Sequence, residues 1–392
     1  MAHLFAPLAL RSITLPNRIA VSPMCQYSSR DGFANDWHFV HLGSRAVGGA
    51  ALVMTEASAV TAEGRISPQD LGIYSDEHIG PLKKITDFLH QHGSAAGMQL
   101  AHAGRKGSTA PPWDPPHVVP PSEGGWTGVA APSAIPFADN YAHPTALDRA
   151  GIVGIRQAFA AAANRALQAG FDIVELHAAH GYLLQEFLSP ISNQRTDEYG
   201  GNFENRIRLL LEVADAVRVV WPEYLPMFVR ISATDWAETV PVTSTHSPEP
   251  GWTVDDSVAL AAQLKSHGVD LVDVSSGGNL PNTKIPAGAG YQTGFAERIR
   301  RETGILTGSV GMISEPVQAD HIIRTGQADL VLLAREMLRD PYWPMRAAQE
   351  LKQTISWPKQ YTRAAEGHPP ARVAVAELQT SKPARGQKHS KL

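Results

Sequence analysis

The chain has 392 residues, 43% apolar and 18% charged, the composition of a globular protein with room for one large α/β domain or two small ones. Its 34 basic and 38 acidic side chains leave a net charge of −4, and no long basic block lies outside the tail, so nucleic-acid binding has no compositional support. No apolar run approaches the roughly 20 residues that span a bilayer, and a lone Cys25 excludes an intramolecular disulfide or a cysteine-ligated iron–sulfur cluster. The N-terminus MAHLFAPLALRSITL is too short in its apolar part to read as a secretory signal, and a reducing compartment fits best.

Eight short apolar runs follow in order: Arg18–Val21, Ala50–Ala57, Ala95–Leu100, Phe171–Leu176, Met227–Ile231, Val269–Ser275, Ile305–Val310 and Ala328–Ala334. Segments with helical periodicity lie between most of them. Leu82, Ile85, Phe88 and Leu89 share one helix face, as do Ile207, Leu210, Leu211, Ala214 and Val217. Strand and helix alternating eight times implies parallel βα units, and eight is the number that closes a barrel. Two doubly wound halves are compatible with the count alone. No linker divides the chain before residue 360, so a single (β/α)8 TIM barrel over residues 1–365 is the expected fold.

The run ends carry the chemistry. The first ends in Ser22-Pro23-Met24-Cys25-Gln26-Tyr27, the second in Thr55-Glu56-Ala57-Ser58 and the third in Gln99-Leu100-Ala101-His102. The fourth opens into His177, His180, Gly181 and Tyr182, which places two imidazoles and a phenol at one strand-to-loop corner. Arg230 lies in the fifth run, Ser275-Ser276-Gly277-Gly278 closes the sixth, Gly308-Ser309-Val310-Gly311 the seventh and Ala334-Arg335 the eighth. Polar and small residues at successive C-terminal strand ends mark the catalytic face of such a barrel. A glycine-rich turn after strand seven followed by an arginine after strand eight sits where these barrels commonly bind phosphate. Backbone N–H groups approach the phosphate closely there, and arginine adds a two-pronged contact.

Two stretches exceed a minimal barrel. Pro111–Gly128 and Glu238–Gly251 both follow strand ends and are expected to be loops over the mouth, where Trp113, Trp126 and Trp236 could meet a substrate. Residues 366–392 are rich in Pro, Ala, Lys and Arg without a helical stripe, and are expected to form a disordered C-terminal tail. That tail ends in Ser390-Lys391-Leu392, which is a peroxisomal address in a eukaryote, read by the import receptor there. In a bacterium it carries no meaning, and a cytoplasmic location is expected.

Taken together, NRIAVSPMCQYSS, EASAVTAEGRISPQDLGIYSDEH, QLAHAGRK, GFDIVELHAAHGYLLQEFLSPISNQRTDEYGG, TGSVGMI and LRDPYW resemble the Old Yellow Enzyme family. The likeness is to its bacterial-type, xenobiotic-reductase-like branch of FMN-dependent ene-reductases, and it covers about Leu4 to Arg363 with the blocks in family order. The resemblance implies non-covalent FMN, NADPH as reductant with NADH as the alternative, and an enone substrate. It implies that Ser22, Pro23, Met24 and Cys25 pass along the flavin, Ala57 offers a backbone contact and Gln99 meets the pyrimidine edge. Arg230 is implied beside N1 and the C2 carbonyl, where a fixed cation tunes the cofactor's electronics. Gly308, Ser309, Gly311, Ala334 and Arg335 are implied to hold the phosphate, although the family more often has glycine where Ala334 stands; alanine can still offer its N–H if its φ is negative. His177 and His180 are implied to hydrogen-bond the substrate carbonyl, Tyr182 to protonate Cα and Tyr27 to add a contact to that carbonyl. Arg363 matches an arginine that relatives insert into a neighbouring subunit, which implies a homodimer or homotetramer. The tryptophan usual just after it is absent, and Ala365 stands there.

Plainer readings weigh against each residue singly. A lone histidine is more often structural, and a lone cysteine is more often a small apolar residue. Arg230 could be a core ion-pair partner and Arg335 a helix cap. Arg195, Asp197, Glu198 and Arg206 read as anchors of the turn into the helix that follows, and His102 and Arg105 receive no role. The competing function is a metal-dependent hydrolase or isomerase on the same barrel, with His177 and His180 as ligands. It requires a third ligand, and the first strand offers no His-x-His.

Overall fold

All eight apolar runs form strands in the computed structural model, which describes residues 3–240 and 250–365. They are β1 (Ile19–Val21), β2 (Leu52–Ala59), β3 (Ala95–Ala101), β4 (Ile173–Ala178), β5 (Met227–Ser232), β6 (Leu271–Ser275), β7 (Leu306–Ser309) and β8 (Leu330–Leu333). Neighbours in sequence are neighbours in space, every pairing is parallel, and β8 pairs back onto β1 through Val331 with Ile19 and Leu333 with Val21, so the barrel is closed. Strands buried on both faces need near-continuous apolar sequence, which is why the runs were legible.

The outer ring consists of α1 (Asp36–Val47), α2 (Ile79–Gln91), α3 (Arg149–Gln168), α4 (Phe203–Val220), α5 (Val254–Ser266), α6 (Thr293–Thr303), α7 (Pro316–Arg324) and α8 (Trp343–Glu350). Side chains of Asn35, Asp148, Asn202 and Thr253 accept from the first-turn N–H groups of α1, α3, α4 and α5, satisfying donors that the helix itself leaves unpaired. On α2, Leu82, Ile85 and Leu89 are buried while Phe88 is half-buried. On α4 the buried face is Ile207, Leu209, Leu210, Val213, Ala214 and Val217. Leu211 is only partly covered, so the stripe is rotated slightly from the one expected.

An N-terminal antiparallel hairpin, Leu8–Leu10 with Ile13–Leu15, holds to the far end of the barrel. Ser12 N–H donates to Tyr224 O at 3.1 Å and Arg11 pairs with Asp270 at 2.7 Å, just before β5 and β6 begin. The opposite end is the mouth. The turn into α4 is anchored as its sequence suggests: Arg195 grips Asp197 at 2.6 Å and donates to the Pro132 and Leu147 carbonyls, Arg206 Nε donates to Leu188 O, and Glu198 pairs with Arg149. Two expectations fall outside the described residues: the middle of the second mouth loop, residues 241–249, and residues 366–392 with the Ser-Lys-Leu terminus. Among the described residues, no helix is long and apolar enough to cross a membrane.

The fold's dependence on the α3 interface is measurable. Phe159 is fully buried between α3 and the barrel, so Phe159→Ala is expected to destabilise by about 3–5 kcal/mol, read as a lower midpoint in urea unfolding.

Candidate active site

β4 carries His177 at its inward-facing C-terminal end, and the chain then turns sharply. His180 adopts a left-handed φ of 61°, followed by Gly181 at 73°. The turn lies directly against the loop after β6. A Cβ added to Gly278, itself at φ 91°, would fall 2.5 Å from His180 Cα, so a side chain there would force the two loops apart. Lys106 ties the same two loops together, its Nζ donating to His180 O at 2.8 Å and to Gly278 O. His180 N–H donates to Ser232 Oγ at 2.9 Å, and Ser232 Oγ in turn donates to Gly277 O. Three strand ends thus hold one histidine.

The two imidazoles meet edge to face with ring centres 5.1 Å apart, and Tyr182 stands 4.9 Å from His177. Burial foremost, then the charges of Arg230 and Lys106, drives the pKa of His177 well below its ordinary value; His180 is driven down likewise, first by burial and then by Arg230. Both rings are therefore neutral at pH 7. His177 Nδ1 accepts from the Ala179 N–H at 3.2 Å, which leaves Nε2 as the protonated nitrogen and a hydrogen-bond donor. His180 Nε2 lies 2.7 Å from Ser275 Oγ. Burial pushes the Tyr182 phenol well above its usual range, so it keeps its proton.

Tyr182, Tyr27 and Lys106 face a cavity of about 350 Å³ that is also lined by Pro111, Pro112, Asp114 and Pro116 of the first mouth loop. Tyr27 has a positive φ of 48° and meets Trp113 edge-on at 5.5 Å. Of the other tryptophans expected at the mouth, Trp126 stacks under Arg65 and Trp236 packs on Phe295. Cys25 is a free, partly buried thiol raised by burial and then by Asp70 and Glu56.

A second cavity of about 400 Å³ is lined by Arg230, Gly311, Ala334, Arg335 and Ser275, the hydrogen-bond partner of His180. Arg230 Nη1 donates to Ser22 Oγ at 3.0 Å and Nε lies 3.3 Å from Asp273, so Arg230 is an ion-pair partner in the core. Among the described residues its Nη2 has no hydrogen-bond partner. Gln99 Nε2 donates inward to Glu175 at 2.8 Å, leaving its carbonyl oxygen free of protein partners among the described residues, and Ala57 pairs with Gln99 across β2 and β3 just past an irregularity in that pairing. Pro23 and Met24 are half-buried beside Cys25.

The structure refines the expected glycine turn. Gly308 and Ser309 belong to β7 itself, and a Cβ on Gly308 would lie 2.5 Å from Leu332, so this glycine serves barrel packing. Gly311, at φ 126°, forms the actual turn beside the cavity. Ala334 has φ −101°, compatible with alanine, and Arg335 is exposed at the cavity wall. Arg363 lies exposed on the short 3-10 segment Lys359–Ala364. His102 and Arg105 are structural: His102 accepts from Gly104 N–H, while Arg105 holds Asn279 at 2.7 and 2.9 Å. Lys106 and Ser275 join the histidine corner through folding. Lys106 closes the QLAHAGRK block and Ser275 ends the sixth run, so both were visible, but only folding brings them to His180. Among the described residues, the one group positioned to hold a metal is Cys25, Glu56 and Asp70, which includes neither histidine.

Comparison with known proteins identifies the family and the fold. Residues 3–354 match the model of the NADH:flavin oxidoreductase / NADH oxidase family. An NADPH dehydrogenase of Geobacillus sp. (strain WCH70) is 50% identical over 362 residues, 92% of this chain and 98% of that one. Morphinone reductase superimposes with a TM-score of 0.72 at 28% identity, covering 91% of each chain. A 2-naphthoyl-CoA reductase complex shares the fold at 23% identity with a TM-score of 0.78; this chain spans 52% of its length.

One titration follows from the geometry. Burial and then the neighbouring Arg105 push the Lys106 amine down to about 7, whereas both histidines stay neutral. Turnover at this site is expected to slow as pH rises through about 7, where the amine loses its charge beside the His180 turn. Stopped-flow pH profiles should show that inflection in wild type and lose it in Lys106→Met; an unchanged inflection would assign it elsewhere.

Proposed function

From the premise that this chain belongs to the NADH:flavin oxidoreductase / NADH oxidase family and is an NAD(P)H-dependent FMN enzyme of Old Yellow Enzyme type, we propose that it reduces the activated C=C bond of α,β-unsaturated carbonyls. Enones, enals and maleimides are the substrate class, with nitro compounds as further acceptors. The observation that carries this reading is the neutral His177–His180 pair packed against a protonated Tyr182.

The residues present fit FMN. Arg230 offers a free guanidinium edge at the inner end of the second cavity, and Gly311, Ala334 and Arg335 line that same cavity with a glycine turn, a negative-φ alanine and an exposed cation suited to a phosphate. We assign Ser22, Pro23, Met24, Cys25, Ala57 and Gln99 to the ring, with Gln99 turning its carbonyl oxygen to the pyrimidine edge. Gly308 and Ser309 support the phosphate end from within β7. FMN held there would supply the hydride chemistry, with NADPH as the reductant and the activated C=C bond as the acceptor.

The chain's own residues do the rest. His177 donates from Nε2 to the substrate carbonyl, and His180 exchanges Ser275 for the same oxygen. These two donors stabilise the enolate-like charge that develops there. Tyr27 adds a third contact from the opposite side of the first cavity. Tyr182 gives its proton to Cα, a role that requires a phenol kept protonated by burial. The names of the curated relatives favour NADPH over NADH. We further propose a homodimer or homotetramer in which Arg363 reaches a neighbouring copy. The terminal Ser-Lys-Leu would act only in a cell with the peroxisomal receptor, and the bacterial relatives favour the cytoplasmic alternative.

The direct test is anaerobic spectroscopy: the flavin spectrum should bleach with NADPH and return with cyclohexenone. A spectrum that bleaches but does not return would require a different oxidant. His177→Ala with His180→Ala is expected to keep FMN and lose most enone reduction. Tyr182→Phe should slow the enone half-reaction by about 100-fold or more while sparing reduction by NADPH. Equal effects on both halves would remove Tyr182 as the proton donor.

A further inference from the structure

Beneath His177 the barrel interior holds three ionisable side chains whose charges do not balance. Glu175 lies two residues below His177 on β4, pointing inward like it, and Asp273 lies on β6 with Arg230 between them on β5. Register places Arg230 level with both Asp273 and His177. Glu175 and Asp273 are fully buried. Gln99 satisfies Glu175 Oε1, but Glu175 Oε2, both Asp273 oxygens and Arg230 Nε lie buried without a hydrogen-bond partner. Asp273 Oδ2 keeps only the 3.3 Å approach of Arg230 Nε.

Two carboxylates against one guanidinium would leave a net negative charge in an interior shielded from bulk solvent, which is costly. Two buried, unpaired carboxyl groups flanking one guanidinium resist ionising together, and the proton then belongs to the pair. Burial and the neighbouring acid push Glu175 up to about 8, and burial raises Asp273 against the opposing pull of Arg230.

We propose that Glu175 and Asp273 share one proton, so that the Glu175–Asp273–Arg230 group is neutral overall and sets the field that Arg230 presents to the flavin. Glu175 and Asp273 are thus positioning residues acting through Arg230. The inference rests on the reading that Arg230 faces FMN. Its neighbours there, Ser22 and the neutral His177, bring no compensating charge. With the proton shared, loss of either acid leaves the other ionised and the group still neutral. Loss of both leaves an uncompensated cation, which favours the electron-rich, reduced cofactor.

The test compares wild-type holoenzyme with Glu175→Gln, Asp273→Asn and the double variant. Dye-equilibrated reductive titrations should place each single variant within about threefold of wild type in the oxidised-to-reduced equilibrium. The double variant should shift at least tenfold toward the reduced form, about 30 mV for a two-electron couple. Infrared difference spectra supply a readout independent of the flavin. Besides the bands of the other buried acids, Asp70 and Glu186, which all variants keep, the wild type should show a carboxylic-acid C=O band that disappears in both single variants. A wild type without that band, or a single variant shifting the potential as far as the double, means both acids are ionised and overturns the proposal. A double variant with unchanged potential overturns the link to Arg230. If the double variant does not fold, the band and the single variants still decide. A protein without a flavin spectrum fails the functional reading instead, and the infrared arm still reports on the shared proton.

Discussion

Barrel closure is the constraint on which everything else depends. When β8 pairs with β1, eight parallel strands have no free edge, and all eight C-terminal ends are forced into one ring. Residues hundreds of positions apart then become neighbours without any further interaction to recruit them. Ser22 and Arg230 are 208 residues apart and hydrogen-bonded at 3.0 Å. His180 and Ser275 are separated by 95 residues and meet at 2.7 Å. The side-chain period of two on each strand decides which residues enter that ring, and it stacks His177 above Glu175 on one strand.

Closure alone would leave the histidines on a loose loop. Glycine supplies the next level of order, because Gly181 and Gly278 let two backbones touch where any side chain would separate them. Lys106 then fastens the contact through two carbonyl oxygens, using a cation that is poorly hydrated and therefore easily discharged. The result is a left-handed His180 held by Ser232, Lys106 and the Gly278 backbone rather than by its own ring. Its ring stays available for a ligand, with Ser275 as the resting partner.

Polarity in this barrel is layered. Aliphatic side chains fill the space between strands and helices, whereas the interior just below the mouth carries Gln99, Glu175, Arg230 and Asp273. A polar layer at that depth is expensive in isolation, and such costly buried charge is characteristic of functional sites. Above it sits the neutral His–His–Tyr group, whose members are useful because desolvation keeps the rings uncharged and the phenol protonated. The same burial thus acts on both layers, removing charge from the imidazoles and returning a proton to a carboxyl pair.

The sequence by itself determined the strands, most helix faces, the order of the units and the histidine–tyrosine corner. Each of these is written locally, as an apolar run, a 3.6-residue stripe or residues adjacent in the chain. It also carried the family likeness, since whole motif blocks survive in order. What it could not express is distance between strands. Gly308 read as a turn residue because its neighbours are small, yet it lies in β7, where Leu332 of the next strand leaves no room for a Cβ. Lys106 passed unremarked because its partners, His180 O and Gly278 O, are backbone atoms from remote loops. Arg230 had two readings in the sequence, and the fold gives it the ion pair with Asp273 while leaving it in the wall of the second cavity, where the other reading needs it. Local pattern sets what each segment is, while only the closed ring sets what each segment touches, because that depends on strand register and the width of the barrel.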